Sequence, residues 1–364
     1  MPPKAAAKDV SDLHQIVGRE NLVREIKGHI VPLREPRIRF FLPSELRDYV
    51  PQDDIVFVGE CQIMRGEVFV IGGEPGVGKS KAATALAVAG ATGADWFGMQ
   101  VHKRFRTMIV QTENGRYRLQ QEYSALNCEM LDGWIRVSEP PPFGLTLTNE
   151  EFQNDIRAAL ASFKPDCVIL DPWNAAARDD KQKDYVNTFD ALRNLLPTGV
   201  DKPALGIVAH TRKPHPNEKR TGGTGLMHIL SGSYVLASVP RAMFVMVRGS
   251  DEETDNSVVW CNPKNSNGPL APRSAWNRNG AGFTPSLDFD WHYFDQPPEN
   301  RKKITLDDLR DLFDETLEME LSTAAEKLAD ITGVTRNAAY NALSKTGRFA
   351  SHLQRENGKI RFKP

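Results

Sequence analysis

The densest chemistry in this chain lies in one octapeptide, Gly73-Glu74-Pro75-Gly76-Val77-Gly78-Lys79-Ser80. The spacing G-x-x-x-x-G-K-S suits the phosphates of a nucleoside triphosphate. Glycines let successive backbone N–H groups curl around the oxyanions, and a helix opening near Lys79 adds its positive end. Lys79 would reach the β- and γ-phosphates, and the Ser80 hydroxyl would ligate Mg²⁺. ATP and Mg²⁺ are therefore the expected ligands. A glycine-rich turn that binds nothing would not need the whole motif, nor its place between a strand-like run and a helical one.

Cleaving a phosphate also requires a carboxylate near the metal and a group that activates water. Asp171 ends the apolar run Val168-Ile169-Leu170-Asp171. Strand C-terminal ends face the ligand crevice in open parallel sheets, so Asp171 is the candidate partner of Mg²⁺. The alternative is an Asp that merely starts a turn before Pro172. Because Pro172 is not a glutamate, the base must come from elsewhere, and Glu113, just beyond Met108-Ile109-Val110-Gln111, stands at the neighbouring crevice edge. Glu113 otherwise reads as an acid favoured by the helix start behind it. His210 ends a further strand at the same edge and could sense the γ-phosphate, or be an ordinary loop residue.

Those residues need a scaffold that lines up strand ends. The runs EVFVIGG (67–73), RTMIVQ (106–111), DCVILD (166–171) and ALGIVAH (204–210) are apolar on both sides, as strands covered on both faces must be. AATALAVAGA (82–91), RYRLQQEYSAL (116–126) and VNTFDALRNLL (186–196) are long enough for crossover helices. The expected core is α/β with a largely parallel sheet. RAMFVMV (241–247) and SVVWCN (257–262), separated by the polar turn EETDN, are close enough to pair as a hairpin.

The length of 364 residues accommodates two domains with extra arms. FDQPPENRKK (294–303) reads as a linker, so the expected division is an arm at 1–40, the P-loop domain at 41–295 and a small unit at 303–364. The opening MPPKAAAKD lacks an apolar stretch behind its lysine and is expected to be a disordered tail, not a secretory signal. The leader that follows carries a basic run, Arg24, Lys27, Arg34, Arg37 and Arg39. No apolar run reaches the ~20 residues of a membrane span. The four cysteines match no metal or redox spacing, which fits a reducing cytoplasm. A formal net charge of −1 leaves no global attraction for nucleic acid, so any such binding must use local clusters.

In the last unit, TLDDLRDLF (305–313) reads as a helix and STAAEKLADITGVTRNAAYNALSKTG (322–347) as helix, tight turn, helix. Gly333 would end the first of this pair in the left-handed conformation and Thr335 would cap the second. Val334, Leu328 and Leu343 would pack between them. Asn357-Gly358 marks a hairpin. This is the layout of a winged helix, whose presented face would hold Arg336, Asn337, Tyr340, Asn341 and Lys345, with Arg355, Lys359 and Arg361 on the wing. Such a module can read duplex DNA or dock a protein.

With GEPGVGKS, the segments TGADWFG (92–98), MIVQTENGRYRL (108–119), FKPDCVILDPWNA (163–175), IVAHTRKP (207–214), GSYVLASVPRAMFVM (232–246) and PKNSNGP (263–269) occur in order. Over residues 40–270 the chain resembles the RecA-like ATPases of the RepA type, which include hexameric plasmid and phage replicative helicases. The resemblance implies a RecA-like P-loop core with a C-terminal winged-helix domain, Glu113 as catalytic base and His210 at the sensor position. It also implies Arg241 as a finger toward a neighbouring subunit's ATP and Lys264 near nucleotide. The arginine that relatives carry two residues after that lysine is Ser266 here, which puts more weight on Arg241.

The resemblance further implies a homo-oligomeric ring, a hexamer, whose pore loops hold single-stranded DNA. The loop TRKPHPNEKRTGGTG (211–225), with Arg212, Lys213, Lys219 and Arg220, is the candidate. It has no aromatic residue for stacking, so its contact would be electrostatic and blind to sequence; without the resemblance it reads as a solvated loop. The implied activity is a replicative DNA helicase of a plasmid, phage or mobile element, with a primase or other replication protein among its partners. Two alternatives stay open: an ATP-switched DNA-binding initiator that does not unwind DNA, and a protein-directed ATPase.

Overall fold

The structure, a computed structural model, describes residues 19–20, 40–51, 53–142, 144–177, 182–212, 223–230, 234–250, 254–280, 282–295, 304–314, 318–356 and 358–363. The chain divides into two compact units, Met1–Pro51 and Gln52–Pro364. In the first, a short helix, Pro43–Arg47, begins with Glu45 accepting the Leu42 N–H at 2.7 Å. The opening MPPKAAAKD, the basic run Arg24–Arg39 and residues 296–303 of the expected linker lie outside the described residues.

The second unit is built on the runs of β-branched and apolar residues. They form β1 (Val68–Gly73), β2 (Thr107–Gln111), β3 (Ile135–Val137), β4 (Cys167–Asp171), β5 (Ala204–His210), β6 (Ala242–Arg248), β7 (Ser257–Asn265), β8 (Ser274–Arg278) and β9 (Phe283–Pro285). These nine make one sheet in the order β9-β8-β7-β6-β1-β5-β4-β2-β3. The six strands from β6 to β3 run parallel, while β7, β8 and β9 fold back as an antiparallel edge. The pairing of β6 with β7 is the hairpin expected from the sequence. The short edge strand β3 and the hairpin β8–β9 were not expected, although Asn279-Gly280 between the last two is an ordinary hairpin signal.

Side chains alternate across the sheet with a period of two. Phe69, Ile71, Ile109, Ile169 and Val208 enter one apolar core, whereas Val70, Met108, Val110, Val168, Leu170 and Ile207 enter the other. Helix α1 (Lys79–Thr92) covers the first core with Ala82, Ala83, Leu86 and Ala87. Helices α3 (Glu150–Phe163) and α4 (Gln182–Leu195) cover the second with Phe152, Leu160, Tyr185, Phe189 and Leu192. Burial on both faces is why the parallel strands read as unbroken apolar runs. Helix α2 (Arg116–Tyr123) follows β2 and is mostly exposed.

The register sets the site. Gly73 pairs with His210 and Met246, and Gln111 pairs with Asp171. The C-terminal ends of β1, β5, β4 and β2 therefore share one rim. The opposite rim carries the starts of those strands.

Residues 304–363 hold a third core of Leu309, Ala324, Ala325, Leu328, Ala339 and Leu343, all fully buried. Its elements are α5 (Leu306–Asp314), β10 (Met319–Glu320), α6 (Leu321–Thr332), α7 (Arg336–Leu343), β11 (Leu353–Glu356) and β12 (Lys359–Phe362), with an antiparallel sheet ordered β10-β12-β11. Gly333 ends α6 at φ 67°, and the Thr335 hydroxyl caps α7 by accepting the Ala338 N–H at 3.2 Å. Gly358 has φ 79° at the β11–β12 turn, where Asn357 lies outside the described residues. One expectation needs correcting. Asn341 is not on the presented face, because its side-chain amide donates to the Asp288 carbonyl, and the Thr335 hydroxyl lies 3.3 Å from the Asp290 carboxylate. One helical step of about 100° separates Asn341 from Tyr340, enough to turn it inward.

Gly90 shows how closely α1 is packed. A Cβ there would lie 2.5, 2.6 and 2.8 Å from three carbons of the buried Phe105 ring. Alanine for glycine inside a helix normally gains about 1 kcal/mol, but overlap in a filled core costs about 1–3 kcal/mol. Gly90→Ala is therefore expected to lower the urea midpoint of unfolding. A higher midpoint would contradict the packing.

Candidate functional site

The phosphate cradle is assembled by backbone that only glycine tolerates. Gly76 and Gly78 sit at φ 75° and 112°, in the left-handed region. Between β1 and the loop, a Cβ on Gly73 would fall 2.8 Å from both the Met246 carbonyl and a Val77 methyl. Val77 is buried and anchors the turn from below. The first helical bond of α1 is donated by Ala82 to the Gly78 carbonyl at 2.9 Å, so the N–H groups of Lys79, Ser80 and Lys81 have no partner inside the helix. Two arginines absent from the sequence reading brace the loop: Arg278 donates to the Gly76 carbonyl at 2.5 Å, and Arg248 lies 3.6 Å from the Glu74 carboxylate. Arg248 ends β6 and Arg278 ends β8, and no motif marks either.

A cleft of about 870 Å³ opens over this loop. Lys79, Ser80, Glu113, Asp171 and His210, predicted from four separate segments, all line it. The structure therefore brings the five together. The cleft continues past Lys81, Arg118, Glu122, Asn256 and Arg278, none of which was singled out in the sequence. Lys81 donates to the carbonyls of Asn279 and Gly280 at 2.7 and 2.9 Å, which closes the β8–β9 turn onto α1.

The charges at the rim are poorly hydrated. Lys79 is 6% exposed, and its Nζ lies 2.9 Å from the Glu74 carbonyl and 3.2 Å from His210 Nδ1. Burial pushes its ammonium down to about 8, while Asp171, Glu113 and Glu74 pull the other way. Burial also lowers His210, helped by the neighbouring Lys79 charge. Asp171 is pushed up to about 6 by burial, opposed by a hydrogen bond from Ser80 and reinforced by the Glu113 charge.

The pairing of Ser80 with Asp171 puts a hydroxyl and a desolvated carboxylate side by side. This oxygen donor set suits Mg²⁺, which binds through one or two protein oxygens, substrate phosphates and water. Among the described residues no cluster of three or more His, Cys, Asp or Glu could hold a metal by itself. The donor set therefore fits a metal delivered with its nucleotide.

Glu113 is carried on the turn between β2 and α2. Its position relative to Asp171 is held by the Thr112 N–H, which donates to the Asp171 carbonyl at 3.1 Å. The buried Gln111 side chain holds the same turn from inside.

Arg241 and Lys264 are not brought to this cleft. Arg241 immediately precedes β6 and its N–H donates to the Val68 carbonyl at 2.7 Å, at the start of β1. Lys264 pairs with Met243 at the same end. A six-residue strand at about 3.3 Å per residue separates both from their own P-loop. The Arg241 guanidinium is exposed and lies 3.0 and 3.2 Å from the Asn267 side-chain oxygen. Lys264 donates to the Ala237 carbonyl at 2.7 Å.

Of the candidate nucleic-acid contacts, Arg212 follows β5 and its N–H donates to the Ile229 carbonyl at 2.8 Å, while Lys213, Lys219 and Arg220 lie outside the described residues. Arg336, Asn337, Tyr340 and Lys345 are exposed on and just after α7. The wing candidates have internal partners: Arg355 donates to the Leu343 carbonyl, Lys359 pairs with Glu318 at 2.8 Å, and Arg361 bonds Gln354 at 3.0 Å. Among the described residues no helix is long and apolar enough to cross a membrane.

The raised Asp171 acid yields a test. A buried carboxylate whose folded value of about 6 exceeds its ordinary 3.8 keeps its proton between those values while the unfolded chain loses it. It therefore costs stability as pH rises through that window, and fully above it. Without nucleotide or metal, Asp171→Asn is expected to raise stability at pH 7.5 by about 1–3 kcal/mol, an advantage that shrinks by pH 4. Thermal unfolding across that range measures it, and a uniform loss of stability would refute the assignment.

Residues 51–215 match the family model of the AAA domain. No curated protein matches the chain. A KaiC-like protein from the hyperthermophilic archaeon Pyrococcus horikoshii OT3 aligns in structure over 62% of this chain and 91% of its own, at 13% identity and a TM-score of 0.44. The family match, together with the cradle, lysine and carboxylates gathered on one rim, supports a P-loop ATPase in this part of the chain.

Proposed function

We propose that the protein is a RecA-like ATPase that assembles into a ring and uses ATP hydrolysis to move along single-stranded DNA, as a replicative helicase of a plasmid, phage or mobile element. The observation that carries this reading is the placement of Arg241 and Lys264 on the rim opposite their own P-loop. An exposed guanidinium there serves a nucleotide only across a subunit boundary, where it couples hydrolysis to assembly.

In this reading, Lys79 and the backbone N–H groups of the loop hold the phosphates, and Ser80 and Asp171 hold the metal. Mg²⁺, when bound, neutralises charge on the β- and γ-phosphates. Glu113 accepts a proton from the attacking water as the water oxygen bonds to the γ-phosphorus and the bond from that phosphorus to the β,γ-bridging oxygen breaks, its electron pair leaving on ADP. His210, in contact with Lys79, registers whether a γ-phosphate is present. Arg241 of one subunit faces the phosphates of the next and stabilises the charge that develops there.

The unit after residue 303 supports a contact with nucleic acid. Its order of helix, strand, two helices and two strands is that of a winged helix, with Arg336, Asn337, Tyr340 and Lys345 exposed. Side chains of these types reach phosphates and base edges. The inward turn of Asn341 favours a second reading, in which this unit stays docked on the body and regulates an initiator that does not unwind DNA. Strand displacement on a forked duplex distinguishes the two, because the initiator gives none.

Two variants test the ring. Lys79→Ala should lose at least about 100-fold in turnover, and Arg241→Ala should bind ATP yet hydrolyse it about 10³-fold more slowly. Mixed, they should recover activity, because Lys79→Ala subunits supply the arginine to intact P-loops. The wild type should sediment as an oligomer and hydrolyse faster with single-stranded DNA. Wild-type turnover by Arg241→Ala would remove the arginine from this role.

A further inference from the structure

We propose that Gln111 is the positioning residue for the catalytic base, fixing Glu113 through the backbone of its turn; this rests on the role assigned to Glu113 above. Gln111 ends β2, is 2% exposed and uses its whole side-chain amide. Its oxygen accepts the N–H groups of Glu113 at 3.1 Å and Asn114 at 2.7 Å. Its nitrogen donates to the carbonyls of Asn114 at 2.8 Å and Ser138 at 2.7 Å. The Ser138 hydroxyl accepts the Gln111 N–H at 3.0 Å, so the end of β3 takes part in the same knot.

The chemistry explains the residue type. Where β2 stops, the strand ladder no longer satisfies the N–H groups of Glu113 and Asn114, and the buried Gln111 amide needs partners of its own. A primary amide is the side chain that supplies two acceptor sites and two donors at once. Glutamate would set a carboxylate against two carbonyls, and asparagine would fall one carbon short. A base must lie within hydrogen-bond reach of the water it aligns on the phosphorus, and a displacement of about 1 Å can cost about 100-fold in rate. A turn held by four bonds from one buried side chain meets that tolerance, and an ordinary surface turn does not.

The test uses the full-length protein and the isosteric pair Gln111→Met and Gln111→Glu. Each should lower kcat by about 10- to 100-fold while changing KM and the affinity for a fluorescent ATP analogue less than about threefold. Introduced into Glu113→Gln, Gln111→Met should cause no further loss, because a positioning residue has nothing left to position. Multiplying losses would overturn the inference, as would a wild-type kcat in Gln111→Met. If neither Gln111 variant folds, Ser138→Ala takes their place and should lower kcat with KM unchanged; equal loss in both would count against the proposal. Full hydrolysis by Glu113→Gln would instead refute Glu113 as the base, a distinct outcome.

Discussion

A buried cation at the start of α1 and a buried carboxylate at the end of β4, lining one cleft, are the interaction on which the site depends. Desolvation lowers Lys79 and raises Asp171, so neither charge is fully compensated by its surroundings. Surface residues would avoid this cost by turning to water. Here Lys79 is confined between the Glu74 carbonyl and His210, and Asp171 lies under Ser80. The arrangement is poised for a ligand that brings both signs, a phosphate chain for the lysine and a divalent cation for the aspartate. Such a ligand repairs both deficits at once, which gives ATP with Mg²⁺ an advantage over either alone.

Everything else in the sheet keeps that rim in place. The alternation of Phe69 and Ile71 against Val70, repeated on β2, β4 and β5, locks each strand between two apolar cores. A slip of one residue would send every side chain to the wrong face. With registers fixed, the last residues of four strands must meet along one line. The end of β6 then adds Arg248, and the antiparallel edge β7–β9 adds Arg278, against the phosphate loop, bracing its carboxylate and carbonyl groups. The opposite rim, with Arg241 and Lys264, gains its meaning in the proposed ring, where one subunit's strand starts meet another's strand ends.

Much of the site was legible because its parts are local. The P-loop carries its conformation in consecutive residues, and Asp171 and His210 could be placed once their strands were recognised. Gly333 and Thr335 were readable for the same reason, since a left-handed helix end and a cap are chosen by immediate neighbours. Short edge strands such as β3 and β9, of three residues each, give too little alternation to register as strands. Arg278 and Arg248 looked like ordinary charges. Asn341 was assigned to the wrong face because helical periodicity sets the angle between side chains but not which face meets the body.

The sequence by itself pointed to nucleotide chemistry and determined the strands that bury on both faces and the candidate carboxylates, because these depend on residue type and near-neighbour spacing. Only the tertiary structure decided which charges are dry, which rim each arginine occupies and that Gln111 ties Glu113 to β3. Those outcomes depend on strand order and burial. Segments 27 residues apart, such as Gln111 and Ser138, become neighbours only when the sheet forms.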